Sequence, residues 1–541
     1  MPVIETRVDT NSDEYRANRE GMLARIKEFR ELEAKSQAEE ESKREKYHKR
    51  GQILPRERVN LMLDRGSPFL ELQTLCGYKH HDDKDGSLAG GNTIIGIGYV
   101  SGTRCMVSAS NSAIKGGTMT PWGVQKTLRI QDIALEQKLP VVSMIESGGA
   151  NLLYQAEVFI PGGKTFANQC RLSAAGIPQV TVVHGSSTAG GAYMPGLSDY
   201  VVMVRKRAKV FLAGPPLLKS ATGEIADDED LGGAEMHCQV AGTSEFIAED
   251  DADGIRIARD IVTNLEWNQH RPALELLPVR APLYDPEEIA GVVPVDYRKP
   301  YDCREVIARL VDGSEFLEFK HEYDQQTICG RAVIHGMRVG IISNNGPITT
   351  AGATKAGQFI QLCDQSDIPL VFLMNTTGYM VGSESEQGGI VKHGSKMIQA
   401  VANARVPKIT IVMGGSFGAG NYGMCGRGFG PDFIFAWPNS RTSVMGGEQA
   451  AGVMAIITEA KWKAAGKEMK TDDEKMLEMM KQQIVDQFDA ESDAFAASAR
   501  LFDDGIIDPR DTRKVLGLTL SVCREARRRE VRTNTFGIAR L

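Results

Sequence analysis

Residues 180–193 read VTVVHGSSTAGGAY, and residues 409–422 read ITIVMGGSFGAGNY, a second version of the same pattern 229 positions later. Each stretch begins with a run of β-branched and other apolar residues, which favours a buried strand. Each then changes to Gly, Ala and Ser before a helical segment. Strands alternating with helices are typical of an α/β protein. The two stretches therefore predict an α/β fold that contains a repeated unit.

The repeat extends beyond these two stretches. A constant offset over about 70 residues argues for two copies of one fold with two related sites. Chance agreement of isolated Pro and Gly residues is the alternative, but the register does not slip between separated landmarks. The landmark pairs that share the spacing of 229 are Lys126 and Lys355, Pro140 and Pro369, Pro178 and Pro407, and Tyr193 and Tyr422.

A polar, proline-rich segment, Gln269–Pro294, separates the two copies. Such a composition is typical of a domain boundary. We therefore predict a short tail at residues 1–20, a first domain at 21–275 and a second domain at 276–541. Residues 13–50 are almost all charged or helix-forming, so they predict one long amphipathic helix in front of the first domain, ending at Gly51.

Composition excludes several classes of function. The 63 Lys and Arg residues against 70 Asp and Glu give a net charge of −7, which does not favour nucleic acid or an anionic membrane as partner. The nine cysteines form no C-x-x-C motif, so we predict free thiols and neither a zinc ribbon nor a dithiol redox site. The N-terminus has no signal-like apolar segment, and no apolar run reaches the ~18 residues of a membrane span. We expect a cytoplasmic protein.

Each copy carries two glycine-rich turns, each of which follows an apolar strand. The first amides of a helix lack partners within the helix, so two such turns side by side can direct two N–H groups at one oxygen. Such an oxyanion hole stabilises a transition state by ~3–4 kcal/mol per donor. Tight helix–sheet packing explains any single turn equally well, but four turns in two repeated pairs favour function. The turns are Glu146–Ala150 and Ser187–Tyr193 in the first copy, and Thr376–Tyr379 and Phe417–Tyr422 in the second.

The usual nucleophile and metal motifs are absent or lie in the wrong context. A G-x-S-x-G sequence occurs at Gly414–Gly418, but a hydrolase needs a later histidine, and His393 is the last in the chain. His184 and His393 lie near glycine turns, where a structural role is the commoner one. Glu146 could be a general base, as in a hydratase, although a partly buried, hydrogen-bonded carboxylate is the favoured interpretation. The chemistry therefore indicates a stabilised enolate and a base that this chain does not supply.

The chain resembles the carboxyltransferase (β) subunits of biotin-dependent acyl-CoA carboxylases, most closely the branch acting on 3-methylcrotonyl-CoA and geranyl-CoA. The resemblance covers the chain from about residue 20 to the C-terminus. Its motifs are IKGGTMTPWG, FIPGG, STAGGAYMPGLSD, KVFLAGPPLLK, ATGE, LGGAEMH, TTGYMVG, GGIVKHGSKMI, GAGNYGMCGR and VMGGEQAAGV.

This resemblance implies two tandem crotonase-like domains, each a ββα superhelix, and a hexamer of β subunits. It also implies a separate α subunit that carries biotin to a site between the first domain of one β subunit and the second domain of another, with no metal in this chain. The mechanism that the resemblance implies is that carboxybiotin loses CO2, the freed biotin nitrogen removes a proton from the acyl-CoA, and the resulting dienolate attacks CO2.

The family's motif also assigns roles to residues. Gly190 and Gly191 are expected to hold the thioester enolate, while Ala419 and Gly420 hold the ureido oxygen of biotin. The supporting turns are Gly148, Gly149, Gly378 and Tyr379. The residues expected near acyl-CoA are Lys115, Gly116, Gly117, Gly346, Pro347, Thr349, Gly352 and Lys355.

One segment, Asn344–Gly352, departs from the methylcrotonyl branch, whose members read roughly N-N-G-(V/I)-L-F here. A small Thr or Gly in place of an aromatic, which covers ~150–250 Å², would leave room for a longer acyl chain such as geranyl. Filling of the gap by neighbouring side chains is the alternative. Other functions left open are carboxylation of another acyl-CoA such as propionyl-CoA, a biotin-independent crotonase-type hydratase or isomerase, and an assembly scaffold.

Overall fold

The computed structural model describes residues 1–464 and 471–534. The chain divides into two compact units. Among the described residues, the N-unit comprises 30–274, 499–501 and 522–534, and the C-unit comprises 1–29, 275–464, 471–498 and 502–521. The chain passes from the N-unit to the C-unit at residue 275. The first 29 residues belong to the C-unit, and the last described residues belong to the N-unit. The division into a tail at 1–20 and two domains at 21–275 and 276–541 stays a prediction.

The N-terminal segment forms two helices, α1 (Asp13–Glu41) and α2 (Arg44–Lys49). The prediction of one helix over 13–50 is therefore wrong at residues 42 and 43. The Ser42 hydroxyl donates to the Glu39 carbonyl at 2.7 Å, a local bond that competes with continued helix. Gly51 follows α2 with a left-handed φ of 65°, the conformation that commonly ends a helix.

The N-unit contains an eight-stranded sheet among its described residues. Strands β1 to β3 are antiparallel neighbours, and β3 to β6 and β8 are parallel ones, with β7 paired to the end of β5. Their buried Val, Ile and Met side chains form the core. The strands are β1 (Leu70–Glu71), β2 (Thr93–Val100), β3 (Thr103–Ser110), β4 (Val141–Ser147), β5 (Gln179–Thr188), β6 (Tyr200–Val204), β7 (Lys209–Phe211) and β8 (Phe246–Ala248).

The helices of the N-unit precede, connect and follow these strands along the chain. One of them begins at Pro121, because proline is favoured in the first turn of a helix and the Thr120 hydroxyl accepts from Gly123 N at 3.1 Å. The helices are α3 (Pro55–Met62), α4 (Pro121–Glu136), α5 (Gln155–Ala174), α6 (Tyr193–Gly196), α7 (Pro215–Thr222), α8 (Asp228–Gly232) and α9 (Asp251–Asn264).

The C-unit contains a seven-stranded sheet among its described residues, with the order β14-β13-β12-β11-β10-β9 and β15 paired to β13. As in the N-unit, the first three strands are antiparallel and the others parallel. The strands are β9 (Leu317–Glu318), β10 (Thr327–Ile334), β11 (Met337–Asn344), β12 (Leu370–Thr376), β13 (Lys408–Phe417), β14 (Phe433–Ala436) and β15 (Arg441–Ser443).

The helices after residue 275 complete the fold. They are α10 (Ile289–Val292), α11 (Cys303–Leu310), α12 (Thr350–Gln365), α13 (Ser383–Gln387), α14 (Ile390–Asn403), α15 (Gly418–Gly423), α16 (Gly447–Ala464), α17 (Thr471–Ser492), α18 (Ala494–Ala499) and α19 (Thr512–Arg528).

The two units repeat one architecture, as the sequence predicted. Helices α4 and α12, strands β4 and β12, and strands β5 and β13 each begin and end 229 residues apart. Even the local irregularities recur, since the β4–β5 register shifts between Ile145 and Ser147 and the β12–β13 register between Met374 and Thr376. Before α4 the spacing changes, because the loop at residues 111–120 is longer than its counterpart at 345–349.

Candidate active site

In the N-unit the first glycine turn lies at the end of β5. Ala189 has a left-handed φ of 51°, which breaks the strand and starts the short 3-10 helix Ala189–Ala192. Gly190 is exposed and Gly191 is buried. The first amides of such a helix have no partner within it, so the turn presents N–H groups at the strand end.

The second N-unit turn, Gly148-Gly149, lies beside the first. The Ser147 hydroxyl accepts from Gly149 N at 3.2 Å, and the Ser187 hydroxyl donates to the Gly191 carbonyl at 2.8 Å. A Cβ on Gly191 would lie 3.6 Å from Ser147 Cβ. The Ser147 side chain therefore lies between the two turns, whose adjacency the sequence predicted.

The C-unit builds the same pair more tightly. Gly418 has the left-handed φ of 53° that matches Ala189, and Ala419 is exposed while Gly420 is buried. A Cβ on Gly420 would come within 2.8 Å of Gly378 Cα, so the two turns approach each other through their backbones. Gly378 N donates to the Thr376 hydroxyl at 3.2 Å.

Tyr379 follows this turn with its ring largely buried. Its hydroxyl donates to the Gly394 carbonyl at 3.4 Å, and burial raises the pKa of the phenol far above its usual value. Tyr379 is therefore a neutral phenol that packs against the turn. Its main chain forms an isolated β-bridge with Ile348.

A loop docks on each supporting turn in the same way. Met119 N donates to the Gly149 carbonyl at 2.9 Å in the N-unit, and Ile348 N donates to the Gly378 carbonyl at 2.9 Å in the C-unit. In the N-unit Gly148 N also donates to the Gly116 carbonyl at 3.2 Å. The predicted acyl-CoA segments, Lys115–Gly117 and Gly346–Gly352, thus lie against the glycine turns of their own units.

The predicted acyl-CoA residues differ in what they can reach. Lys115 is half-exposed and forms an ion pair with Asp82. Lys355 is fully buried, and its ammonium donates to the Asp324 carbonyl at 3.0 Å. Burial lowers the pKa of Lys355, and the ammonium holds main chain rather than facing an open site.

The C-unit segment thought to leave room for a long acyl chain is filled. Thr349 caps α12, with its hydroxyl accepting from Gly352 N at 2.9 Å and donating to Asp324 at 2.9 Å. A Cβ on Gly352 would overlap the Thr327 hydroxyl. Close packing on β10 therefore requires this glycine, and the expectation that the segment leaves room for a longer acyl chain stays a prediction.

A cavity of about 110 Å³ lies instead in the N-unit, between the sheet and helices α4 and α5. It reaches the supporting turn at Ser147 and the loop at Gly117. Sequence analysis missed it, although the small polar residues Ser108 and Ser143 inside two apolar strands were a possible signal. Its apolar lining includes Ile95, Met106, Met119, Val124, Ile130, Ile145, Leu172 and Met194.

The titratable residues near the turns have structural partners. Glu146 accepts from Arg58 at 3.1 Å and from the Ser112 hydroxyl at 2.9 Å, which confirms the interpretation as a hydrogen-bonded carboxylate. His184 is fully buried, with Nδ1 2.9 Å from the Asp251 carboxylate. Burial, together with the charge of Arg58, lowers the pKa of His184, so it is a neutral imidazole.

Two other candidate catalytic residues are likewise hydrogen-bonded to neighbouring side chains. His393 Nδ1 lies 2.8 Å from the Thr354 hydroxyl. Ser416, the serine of the G-x-S-x-G sequence, is fully buried and accepts from Asn421 at 2.8 Å, so it is not an exposed nucleophile.

Over residues 1–464 and 471–534, no cluster of His, Cys, Asp and Glu has the arrangement of a metal site. Within the same ranges no helix is both long and apolar enough to span a membrane. All nine cysteines are free thiols, and seven of them are buried.

Comparison with known proteins gives consistent relatives. The family model of the carboxyl transferase domain matches residues 46–537 of this chain. A methylcrotonoyl-CoA carboxylase β chain of Dictyostelium discoideum is 47% identical over 96% of this chain and 88% of its own length. A biotin-dependent 3-methylcrotonyl-coenzyme A carboxylase β1 subunit of Mycobacterium tuberculosis is 48% identical over 90% and 91%. The crystal structure of the P. aeruginosa geranyl-CoA carboxylase β subunit is 59% identical over the whole of both chains, with a TM-score of 0.93.

Proposed function

The chain belongs to the carboxyl transferase domain family and is a carboxyltransferase subunit of the biotin-dependent acyl-CoA carboxylase type; we propose that it carboxylates a branched 3-methyl-2-enoyl-CoA, with geranyl-CoA preferred. The observation that carries this proposal is the duplicated pair of glycine turns. One pair lies at the ends of β4 and β5 and the other at the ends of β12 and β13.

In the N-unit the amides of Gly190 and Gly191 hold the thioester oxygen as it gains negative charge. Preorganised donors of this kind stabilise charge that develops only in the transition state. The Gly148-Gly149 turn supports them through Ser147, and the exposed Gly190 gives a ligand access. Lys115, at the rim of the same turn, attracts the negatively charged coenzyme A.

In the C-unit the amides of Ala419 and Gly420 would hold the ureido oxygen of biotin. The residues fit such a group, because the turns at Gly378 and Gly420 approach closely through backbone that a Cβ would obstruct. Biotin, carried by a separate α subunit, supplies the carboxyl group and the basic nitrogen when bound. Tyr379 and Lys355 act by packing the turn and by holding the loop at Asp324.

The cavity in the N-unit supports the preference for a longer acyl chain. Its volume of about 110 Å³ approaches the ~150 Å³ of an engineered apolar cavity that admits benzene. The second isoprene unit of geranyl-CoA is a five-carbon apolar group of comparable size. The cavity begins beside Ser147, so an acyl group held at the Gly190-Gly191 turn has space for its distal end.

The direct test uses the β subunit together with its cognate α subunit. Incorporation of labelled bicarbonate is measured for geranyl-CoA, 3-methylcrotonyl-CoA and propionyl-CoA. We expect kcat/KM to be highest for geranyl-CoA, lower for 3-methylcrotonyl-CoA and lowest for propionyl-CoA. Highest activity with propionyl-CoA, or turnover of an enoyl-CoA in the absence of the α subunit, would contradict the proposal.

A second test fills the cavity. Ser143→Leu replaces the hydroxyl with a three-carbon group, a net gain of two heavy atoms, where Ser143 contacts the Ser108 hydroxyl at 3.1 Å, whereas the control Ser143→Ala only removes the hydroxyl. The leucine should lower kcat/KM for geranyl-CoA by about 10-fold, since a lost or blocked methylene group changes binding by ~1–3 kcal/mol. Activity with 3-methylcrotonyl-CoA should stay within about 2-fold of the wild-type value. Equal losses for both substrates would show that the cavity is not part of the acyl site.

Further elements of the assignment are proposals of the same kind. We propose a hexamer of β subunits bound to biotin-carrying α subunits, and a cytoplasmic location. Analytical ultracentrifugation of the β subunit alone and with its α subunit tests the assembly.

A further inference from the structure

A buried charged network lies beneath the glycine turns of the N-unit. Arg58, on α3, is 1% exposed and joins two carboxylates: its guanidinium is 3.1 Å from Glu146 and 3.3 Å from Asp251. The other oxygen of Asp251 lies 2.9 Å from His184 Nδ1. Asp251 also accepts from Ile53 N at 2.9 Å, so the carboxylate is held from three sides.

The network reaches both strands at the irregularity in their pairing. Ile145 pairs with Val183 and Ser147 with Ser187, so Glu146 on β4 faces the extra residues of β5. A Cβ on Gly185 would lie 2.6 Å from the carboxyl carbon of Glu146, which therefore covers this glycine. The Glu146 side chain thus lies at the last point before both glycine turns leave the sheet.

Glu146 also holds the loop at residues 111–120. The Ser112 hydroxyl donates to Glu146 at 2.9 Å and itself contacts the Tyr47 hydroxyl at 2.7 Å. A Cβ on Gly117 would overlap the Glu146 carbonyl, so the loop rests directly on this residue. One side chain therefore links the strand ends to the loop that borders the cavity.

The neighbours of Asp251 favour its ionised form. Although burial opposes ionisation, the hydrogen bond from His184 and the charge of Arg58 lower the pKa of Asp251 to about 2. Without the Glu146 carboxylate, Arg58 would keep Asp251 as its partner but would lose its ion pair with the end of β4. A change at Glu146 therefore frees the end of β4 from Arg58 while the rest of the network stays paired.

We propose that Glu146 is a positioning residue for carboxyl transfer: through Arg58 and Ser112 it sets the geometry of the Gly190 and Gly191 amides. This inference rests on the proposed function of that turn. A misplacement of about 1 Å costs ~100-fold in rate when reacting groups must be aligned. Glu146 neither touches substrate nor transfers a proton in this account.

The test variant is Glu146→Gln, which keeps an acceptor for Ser112 but removes the charge that faces Arg58. In the complete α–β complex, kcat for geranyl-CoA should fall by about 10-fold or more, while KM and the melting temperature change little. The matched control is Glu525→Gln. Glu525 is also a buried carboxylate of the N-unit, 3.2 Å from Arg104 and 2.7 Å from Arg529, and its replacement should leave kcat unchanged.

A double-variant cycle shows whether Glu146 acts through Arg58. The kcat of Arg58→Gln/Glu146→Gln should match that of Arg58→Gln alone, since dependent effects are not additive. If Arg58→Gln does not fold, the contrast between Glu146→Gln and Glu525→Gln decides. Wild-type kcat in Glu146→Gln, or an equal loss in Glu525→Gln, overturns the inference.

Failure of this inference can be separated from failure of the proposed function. If Gly191→Val folds and keeps turnover, the assignment of the enolate site is wrong. If Gly191→Val loses turnover while Glu146→Gln keeps it, only the positioning role of Glu146 is wrong.

Discussion

The two units close the same strand irregularity in different ways. In the C-unit, Asn375 accepts from Gly415 N at 3.0 Å, a neutral bond between adjacent strands. At the equivalent N-unit position, 229 residues earlier, Glu146 instead extends to Arg58 on α3. Met413, which is fully buried, in turn occupies the position of His184. The C-unit turn is therefore held locally, whereas the N-unit turn depends on charged residues distant in sequence.

The glycines themselves give the first way to test this comparison. A Cβ on Gly420 would lie 2.8 Å from Gly378 Cα, but on Gly191 it would lie 3.3 Å from the Ser187 hydroxyl, which can rotate. Gly420→Ala should therefore lower kcat by about 100-fold, on the scale of a lost oxyanion donor, while Gly191→Ala lowers it by about 10-fold or less. The measurement is steady-state carboxylation by the α–β complex, with circular dichroism to verify folding. Equal losses would mean that the two turns are equally tight.

The buried lysines sharpen the comparison. Lys126 donates to three carbonyls, those of Gln73, Gly90 and Thr93, at 3.3, 3.1 and 2.8 Å. Its counterpart Lys355 donates to the Asp324 carbonyl. Because each buried acceptor left unsatisfied costs ~1–3 kcal/mol, Lys126→Met should lower the free energy of local opening more, by about 3 kcal/mol against about 1 kcal/mol for Lys355→Met.

Hydrogen exchange followed by mass spectrometry measures this opening in the loops before β2 and β10. A larger effect in Lys355→Met than in Lys126→Met would contradict the expected order.

One buried carboxylate in each unit should make the stability of the protein respond to pH, with opposite sign in the two units. These are the smallest effects that we expect. Burial, opposed by a hydrogen bond from Ser498, raises the pKa of Asp503 in the C-unit to about 7. Between about pH 4 and 7 the unfolded chain ionises at this residue while the folded chain keeps its proton, so stability falls as pH rises. Asp503→Asn should raise the melting temperature by about 2–5 °C at pH 8 and have little effect near pH 4.

Asp251 in the N-unit has the reverse sign. Its folded pKa of about 2 lies below the ordinary value of 3.8 for this side chain, so its contribution to stability is present above about pH 4 and is lost as pH falls towards 2. Asp251→Asn should therefore lower the melting temperature at pH 8. A stabilising effect of Asp251→Asn at that pH would show that the network costs stability.

Much of this architecture could be predicted from the sequence, because the repeat and the strand–glycine–helix pattern are local. The spacing of Lys126 and Lys355 correctly predicted equivalent helices, and the glycines at 190–191 correctly indicated a strand end. The cavity and the partners of Glu146 could not be predicted, since they depend on side chains from α3, α5 and α9 that approach only in the fold. The packing of Gly352 against Thr327 depends in the same way on side chains that approach only in the fold.

The central claim is that backbone amides of the N-unit hold the thioester while those of the C-unit hold biotin. The direct test is release of CO2 from the carboxylated α subunit without acyl-CoA, measured with Gly191→Val and with Gly420→Val. Gly420→Val should slow this release by about 100-fold, and Gly191→Val should leave it near the wild-type rate although it abolishes carboxylation of geranyl-CoA. Equal release rates in the two variants, or slower release in Gly191→Val, would contradict the account.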